Sequence, residues 1–232
     1  MAMNPKTLDH IALWVADRDR ISDFATRYLG MHVIDRTDAF TLVGAEARRG
    51  KLTLFAADDP RERGALRHVA LRVRELESVS EDFTDQAEEG PDGLYVDVAE
   101  GLRIGLVEAE TDLDYDLDHV ALYASSPGET VAAYGGLGFR PATPGASEAP
   151  RVEVGGAFVE FHRGEADEPE RPLLNHLAVL VDSAEDHIAA ANELGLEIAD
   201  VVDAPNTYAV FVWGPDRVKI EYVEHKPSFS LV

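Results

Sequence analysis

The sequence predicts an α+β fold of four βαβββ units in two pairs, each pair a curled sheet around a cavity with helices outside. Three observations carry this. The octapeptide at 117–124, Leu-Asp-His-Val-Ala-Leu-Tyr-Ala, recurs in near copy at 8–15, 66–73 and 174–181. Its histidines, His10, His68, His119 and His176, stand 58, 51 and 57 residues apart, which is an internal repeat. Within each copy the histidine, the alanine two further on and the next alternate residue point one way, and the aliphatics between them the other. Each copy is a strand with one greasy side and one side bearing a histidine at a fixed place.

The elements follow in order. After the first strand, residues 16–29 carry Ile21, Phe24, Ala25 and Tyr28 at helical spacing, and Gly30 stops the helix. Extended pieces follow at 31–36, 39–43 and 51–56, with a turn at 45–50. A charged linker at 58–64 contains Pro60. Unit two has a helix at 76–88 on Val79, Phe83 and Ala87, a break at 90–93, and strands at 94–98 and 102–107; its remaining strand is short or absent. An acidic stretch at 108–116 joins the halves. Unit three opens its helix at Pro127, runs it to about Gly136, and places a loop at 141–150 and strands at 151–154 and 158–162. A second acidic linker spans 164–172. In unit four Ser183 caps a helix with Asp186 three residues on, and the helix ends at Leu194 and Gly195. Strands follow at 197–202, 208–213 and 218–223, the last two joined by a tight turn at 214–217. Sequential pairing of the units divides the chain at 1–112 and 113–232.

Composition narrows the function. The chain has 44 acidic residues against 21 basic ones and a formal net charge of −23. Such a surface repels nucleic-acid phosphates and anionic lipids, so neither is an expected partner. An acidic chain with four lysines (Lys6, Lys51, Lys219 and Lys226) also resembles proteins adapted to high salt. There is no cysteine, so a metal must be held by nitrogen and oxygen. Neither a leader-like apolar run nor a membrane-length segment is present, and a cytoplasmic location is expected.

The chemistry points to the second half. Glu160 and Glu221 sit among apolar residues in the last strands of units three and four, where a carboxylate is costly unless paired or bound to a cation. With His119 and His176 they form a cluster of two histidines and one or two carboxylates. The first half has glycine, Gly105, where unit four has Glu221, and unit one offers no acid. It reads as a scaffold in which His10 and His68 are core residues. Glu160 also has the option of facing outward or pairing with Arg151, and His162 is a rim or proton-transfer residue. His32, His187 and His225 read as surface residues.

The repeated histidine strand and the ending Gly214-Pro215-Asp216-Arg217-Val218-Lys219-Ile220-Glu221 resemble the vicinal oxygen chelate superfamily, from about Leu8 to Glu224. The resemblance implies a metal that holds two adjacent substrate oxygens, with His119, His176 and Glu221 as its two-histidine, one-carboxylate triad, suited to Fe(II). Two activities are implied. One is an extradiol ring-cleaving dioxygenase acting on a catechol, favoured by the four-unit architecture, with His162 and Tyr208 near the places of the assisting histidine and tyrosine; Val202 and Phe211 stand where polar groups are expected. The other is a glyoxalase I-like lyase or isomerase with Mn, Ni or Zn, in which Glu160 is fourth ligand and general base. A metal-free binding protein of the drug-resistance type is the third implication. The partner expected in each case is a small molecule, and the chain is expected to be a monomer or homodimer.

Overall fold

The computed structural model describes residues 2–79, 81–164 and 170–232. Residues 165–169 of the linker expected at 164–172 lie outside the described residues. Unit one comprises β1 (Thr7–Val15), α1 (Arg18–Tyr28), β2 (His32–Arg36), β3 (Phe40–Glu46) and β4 (Arg49–Ala56). Unit two has β5 (Leu66–Val73), α2 (Glu81–Thr84), β6 (Glu88–Glu89), β7 (Gly93–Ala99) and β8 (Leu102–Glu108). Unit three has β9 (Asp116–Ala124), α3 (Pro127–Gly136), β10 (Arg140–Ala142), β11 (Arg151–Val154) and β12 (Ala157–Arg163). Unit four has β13 (Leu174–Leu180), α4 (Ala184–Leu194), β14 (Ile198–Asp203), β15 (Thr207–Trp213) and β16 (Lys219–His225). The four βαβββ units are those the repeat predicts.

Local signals set most boundaries. Ser183 Oγ accepts from Asp186 N at 3.1 Å, as the sequence implies, and Gly195 closes α4 in the left-handed region at φ +68°. Unit two departs from expectation. Instead of a helix over 76–88 it has a 3₁₀ turn at Leu76–Ser78 and the single turn of α2. Val79 and Phe83 are buried and anchor it, but Glu88 and Glu89 leave helical geometry to pair with Tyr95 and Leu94 as a two-residue strand. No described helix is long and apolar enough to cross a membrane.

Two eight-stranded sheets result. One runs β14-β15-β16-β13-β1-β4-β3-β2 and the other β10-β11-β12-β9-β5-β8-β7-β6. Unit one therefore pairs with unit four, and unit two with unit three, so a boundary at 112 does not separate two self-contained sheets. In each unit the first and fourth strands are parallel. Each seam between units is an antiparallel pair of first strands, β1 with β13 and β5 with β9.

The seams explain the alanine of the repeat. Opposite His10 stands Ala178, and opposite His176 stands Ala12. In the other sheet His68 faces Ala121 and His119 faces Ala70. A larger side chain there would hold the two imidazoles apart. The alternate residues, among them Ile11, Leu13, Val69, Leu71, Val120, Leu122, Leu177 and Val179, are at most 1% exposed and join one core shared by both sheets. Burying each such side chain contributes about 1.5–3 kcal/mol, which is what turns the aliphatic faces toward one another and leaves the histidine faces to line separate concavities.

Candidate metal centre

On the concave face of the sheet from units one and four, three side chains converge. His10 Nε2 lies 3.1 Å from His176 Nε2 and 3.1 Å from Glu221 Oε2, and His176 Nε2 lies 2.9 Å from the same oxygen. Glu221 arrives because it pairs with Ala178, which in turn faces His10. The unit-one position equivalent to Glu221 is Thr53, paired with Ala12, and it brings no charge.

The donor triangle has the dimensions of a metal site. Donors about 2.1 Å from one ion and at right angles stand about 3.0 Å apart, whereas tetrahedral donors stand about 3.4 Å apart. The observed spacing matches three adjacent corners of an octahedron. The remaining ring nitrogens are held: His10 Nδ1 is 2.7 Å from Asp9 Oδ1, and His176 Nδ1 is 3.0 Å from Asn175 Oδ1. Each partner fixes its ring and keeps the Nε2 lone pair turned inward.

Behind His10 lies a buried charge network. Asp9 is 1% exposed, with Lys51 Nζ at 2.9 Å; Lys51 also donates to Ala47 O. His225 Nε2 is 2.8 Å from Asp9 Oδ2, close enough for an ion pair but off line for a hydrogen bond. Phe229 of the C-terminal tail stacks on His225 and takes the Arg48 guanidinium over its ring. The His225 side chain is thus covered, at 7% exposed, rather than on the surface. So is His187, which stacks on Tyr222 and accepts from Asn4 N at 3.1 Å.

Without a metal the cluster is organised by a proton. Burial raises the Glu221 carboxyl, but the His10 and His176 imidazoles outweigh it and bring it down to about 2. Burial lowers His10, but Glu221 and Asp9 outweigh it and raise the imidazole from 6.5 to about 9. His176 is lowered, chiefly by burial. Because His10 binds its proton more tightly folded than unfolded, that proton stabilises the fold fully below about pH 6.5 and the contribution is lost as pH rises through about 9. Thermal midpoints of chelator-treated protein, measured from pH 6 to pH 10, should fall across that window, and Glu221→Gln should flatten the fall. An equal fall in the variant would place its origin elsewhere.

Comparison with known proteins bears on the fold. Residues 7–101 match the Glyoxalase/Bleomycin resistance protein/Dioxygenase superfamily model. Over that stretch the chain is similar to the glyoxalase/bleomycin resistance/dioxygenase superfamily. Among solved structures, a Bacillus subtilis protein provisionally assigned as a dioxygenase has a TM-score of 0.77 at 15% identity, over 98% of this chain and 88% of that one. Glyoxalase I from Zea mays has a TM-score of 0.71 at 17% identity, over 94% and 92% of the respective chains. These likenesses are of fold. No curated protein matches the sequence.

A second pair of histidines meets in the sheet from units two and three, with different neighbours. His68 Nε2 is 2.9 Å from His119 Nε2, and Asp118 Oδ1 is 2.8 Å from His119 Nδ1. Glu160 stands where Glu221 stands in the first sheet, opposite Ala121. It is 1% exposed, accepts from Ser147 Oγ at 2.9 Å, and has His162 at 3.4 Å and Arg151 at 3.6 Å. Donor atoms of Asp92, His119 and Glu160 lie within 4.8 Å of one another, a looser set than the first triangle. At the fourth place Gly105 admits the Tyr95 ring: a Cβ on Gly105 would come within 2.5 Å of it. Burial and the charges of His119, Arg67, His162 and Arg103 push His68 down to about 2. Burial does most to keep His68 neutral, and the positive field that adds to it also opposes a dication.

The expected triad of His119, His176 and Glu221 is therefore divided between two sheets. His176 and Glu221 meet each other and His10, which the sequence reading assigned to the core; His119 meets His68. Glu160 is buried but belongs to the second cluster, so it cannot be a fourth donor beside Glu221. His162 is held by Arg67, whose Nη1 is 2.7 Å from His162 Nδ1, and adjoins Glu160 rather than the donor triangle. Tyr208 also lies away from the place expected of it. Phe211 pairs with Glu221, so Phe211, Ala209 and Trp213 take the concave phase of β15, and Tyr208 points to the other face, 3.1 Å from Glu185 Oε2. One signal for His10 was present in the sequence: the acid before it, as in Asp118-His119, marks a ring held from behind.

Proposed function

We propose that the chain is a metal-dependent enzyme acting on a substrate with two adjacent oxygens, and that it is an extradiol-type ring-cleaving dioxygenase using Fe(II) at His10, His176 and Glu221. The observation that supports this best is the three-donor triangle with Thr53 in the fourth place. A lyase with four protein ligands needs a second carboxylate there, and Glu160 lies in the other sheet. When bound, Fe(II) would supply a Lewis acid with three further positions, two for the adjacent oxygens of a catechol and one more, the number that cleavage with dioxygen needs.

The chain's own residues supply the rest. Asp9 and Asn175 hold the two imidazoles. Phe211 meets the His176 ring edge-on at 5.1 Å, Phe55 lies 6.2 Å from it, and Trp14 packs on Phe55 at 5.3 Å. These rings make an apolar wall that excludes water and fits a planar substrate. Thr53, short and uncharged, leaves space where a second acid would stand.

Anaerobic reconstitution with Fe(II), followed by oxygen uptake with a set of catechols beside a thiohemiacetal isomerisation assay with Mn, Ni and Zn, tests the reading. The expected result is oxygen uptake with Fe(II) that is lost in Glu221→Ala. Isomerisation without any oxygen uptake would replace the dioxygenase by the lyase.

A further inference from the structure

The two halves of the first sheet are related by an approximate twofold through the β1–β13 seam, and two charges break it: Glu221 against Thr53, and Asp9 against Asn175. On one side Lys51 pairs with His10 on the neighbouring strand, and Asp9 neutralises its ammonium at 2.9 Å. The equivalent lysine on the other side is Lys219. It precedes Ile220, the partner of Leu177, by one residue, which puts it alongside His176. The equivalent of Asp9 is Asn175, which is neutral. Lys219 therefore lacks the carboxylate its counterpart has.

The rest of the molecule sharpens the contrast. Lys6 pairs with Asp182, Lys51 with Asp9 and Lys226 with Asp203. Among the described residues Lys219 alone of the four lysines makes no ion pair within 4 Å, in a chain with 44 acids. It is half-buried, with its Nζ 5.8 Å from the centre of the Phe211 ring and 5.7 Å from that of Trp213. The acids whose fields reach it are Asp200 and Glu221, and burial lowers its pKa.

Lys219 faces a cavity of about 350 Å³ lined also by Trp14, Leu174, Asn175, Trp213 and Val218. Asn175 holds His176 Nδ1, so the cavity reaches that imidazole from behind, and Lys219 lies on the same face of its strand as Glu221, two residues on. Both tryptophans of the chain line it. Of the acids on its wall, Glu170 and Asp216, neither lies within 4 Å of Lys219 among the described residues, and Asp216 accepts from Thr130. A cavity walled by Trp14 and Trp213, with an ammonium that has no described carboxylate within 4 Å and that shares a strand face with Glu221, is complementary to a planar molecule that carries a negative charge.

We propose that Lys219 selects substrates by a carboxylate, so that the molecule held at His10, His176 and Glu221 is an aromatic or enediol compound bearing an acid group. This rests on the functional reading above. Calorimetric titration of the Fe(II)-loaded full-length protein without oxygen, with 3,4-dihydroxybenzoate and with uncharged 4-methylcatechol, tests it. The metal content of each variant is measured beside the titration. Wild type should bind the acid about 10- to 100-fold more tightly than the neutral probe, as a charge-assisted contact in a partly buried site allows. Lys219→Met should lose that preference while keeping its iron and its affinity for 4-methylcatechol, and Lys219→Arg should keep most of the preference. A wild type that binds both probes equally, or a Lys219→Met protein that still prefers the acid, overturns the role of Lys219 and leaves the metal site standing. Loss of affinity for both probes alike in Lys219→Met would make the lysine a packing residue and overturn the proposal. A wild type that holds no iron, or binds neither probe, overturns the functional reading and this inference with it.

Discussion

His10→Ala is expected to abolish metal binding, and His119→Ala is expected to leave it unchanged. The donor atoms of His10, His176 and Glu221 lie within 3.1 Å of one another, and His119 is in the other sheet, 2.9 Å from His68. Removing one of three protein donors leaves two, and a two-donor set holds a hard dication weakly. A loss of affinity of more than 100-fold is expected for His10→Ala, His176→Ala and Glu221→Ala alike, on the order of 3 kcal/mol or more. Competition against a fluorescent chelator with Fe(II), Mn(II) or Zn(II) measures it. Since neither alanine variant disturbs a seam that already carries alanine opposite, both proteins should fold. Equal loss from His119→Ala would mean that the second cluster also holds metal, and an unimpaired His10→Ala would remove the site.

Asp9→Ala should produce the largest loss of stability of any change near the site. Lys51 is 4% exposed; it pairs with Asp9, donates to the Ala47 carbonyl and lies 6.0 Å from the centre of the Phe229 ring. Removing the carboxylate strands a buried ammonium beside His10 and His225, and breaking such a pair from one side costs about 3–5 kcal/mol. Urea denaturation of the metal-free protein gives the value. Adding Lys51→Met to Asp9→Ala should recover a good part of it, because the cost comes from the orphaned charge and not from the lost contact. A double variant no more stable than the single one would refute that account. Asp9→Asn keeps a hydrogen-bond acceptor for His10 Nδ1 but not the charge, and should weaken metal binding by about 10- to 100-fold, the usual effect of altering a group that orients a ligating histidine.

Lys219 shows why the buried pair matters. The same lysine position occurs twice, once with Asp9 beside it and once with Asn175. Where the ammonium is deeply buried the chain supplies its own counter-ion. Where it is half-exposed at a cavity, no described carboxylate lies within 4 Å of it.

Much of this was legible in the residues. The spacing of His10, His68, His119 and His176 identified the units, and the alternation of His and Ala against Ile, Leu and Val assigned each strand's two faces, because side-chain direction along a strand has a period of two and needs no knowledge of distant residues. Glu221 stood out as a carboxylate inside an apolar strand, and it is in the donor triangle. The pairing of Glu160 with Arg151 was legible too; Thr53 in the fourth place, the Tyr95 ring against Gly105 and Arg67 beside His162 were not, since each depends on which strand lies alongside.

By itself the sequence determined four βαβββ units, the inward histidine of each and the embedded acids Glu160 and Glu221. Only the tertiary structure decided which histidines meet. All four first strands present nearly the same edge and the same His-x-Ala face, so local chemistry permits units one and two to pair as readily as units one and four. The choice is made by contacts between residues far apart in the chain, such as Lys6 N with Leu180 O at 2.8 Å and Trp14 N with Leu173 O at 2.8 Å, and it carries His10 across 166 residues to His176.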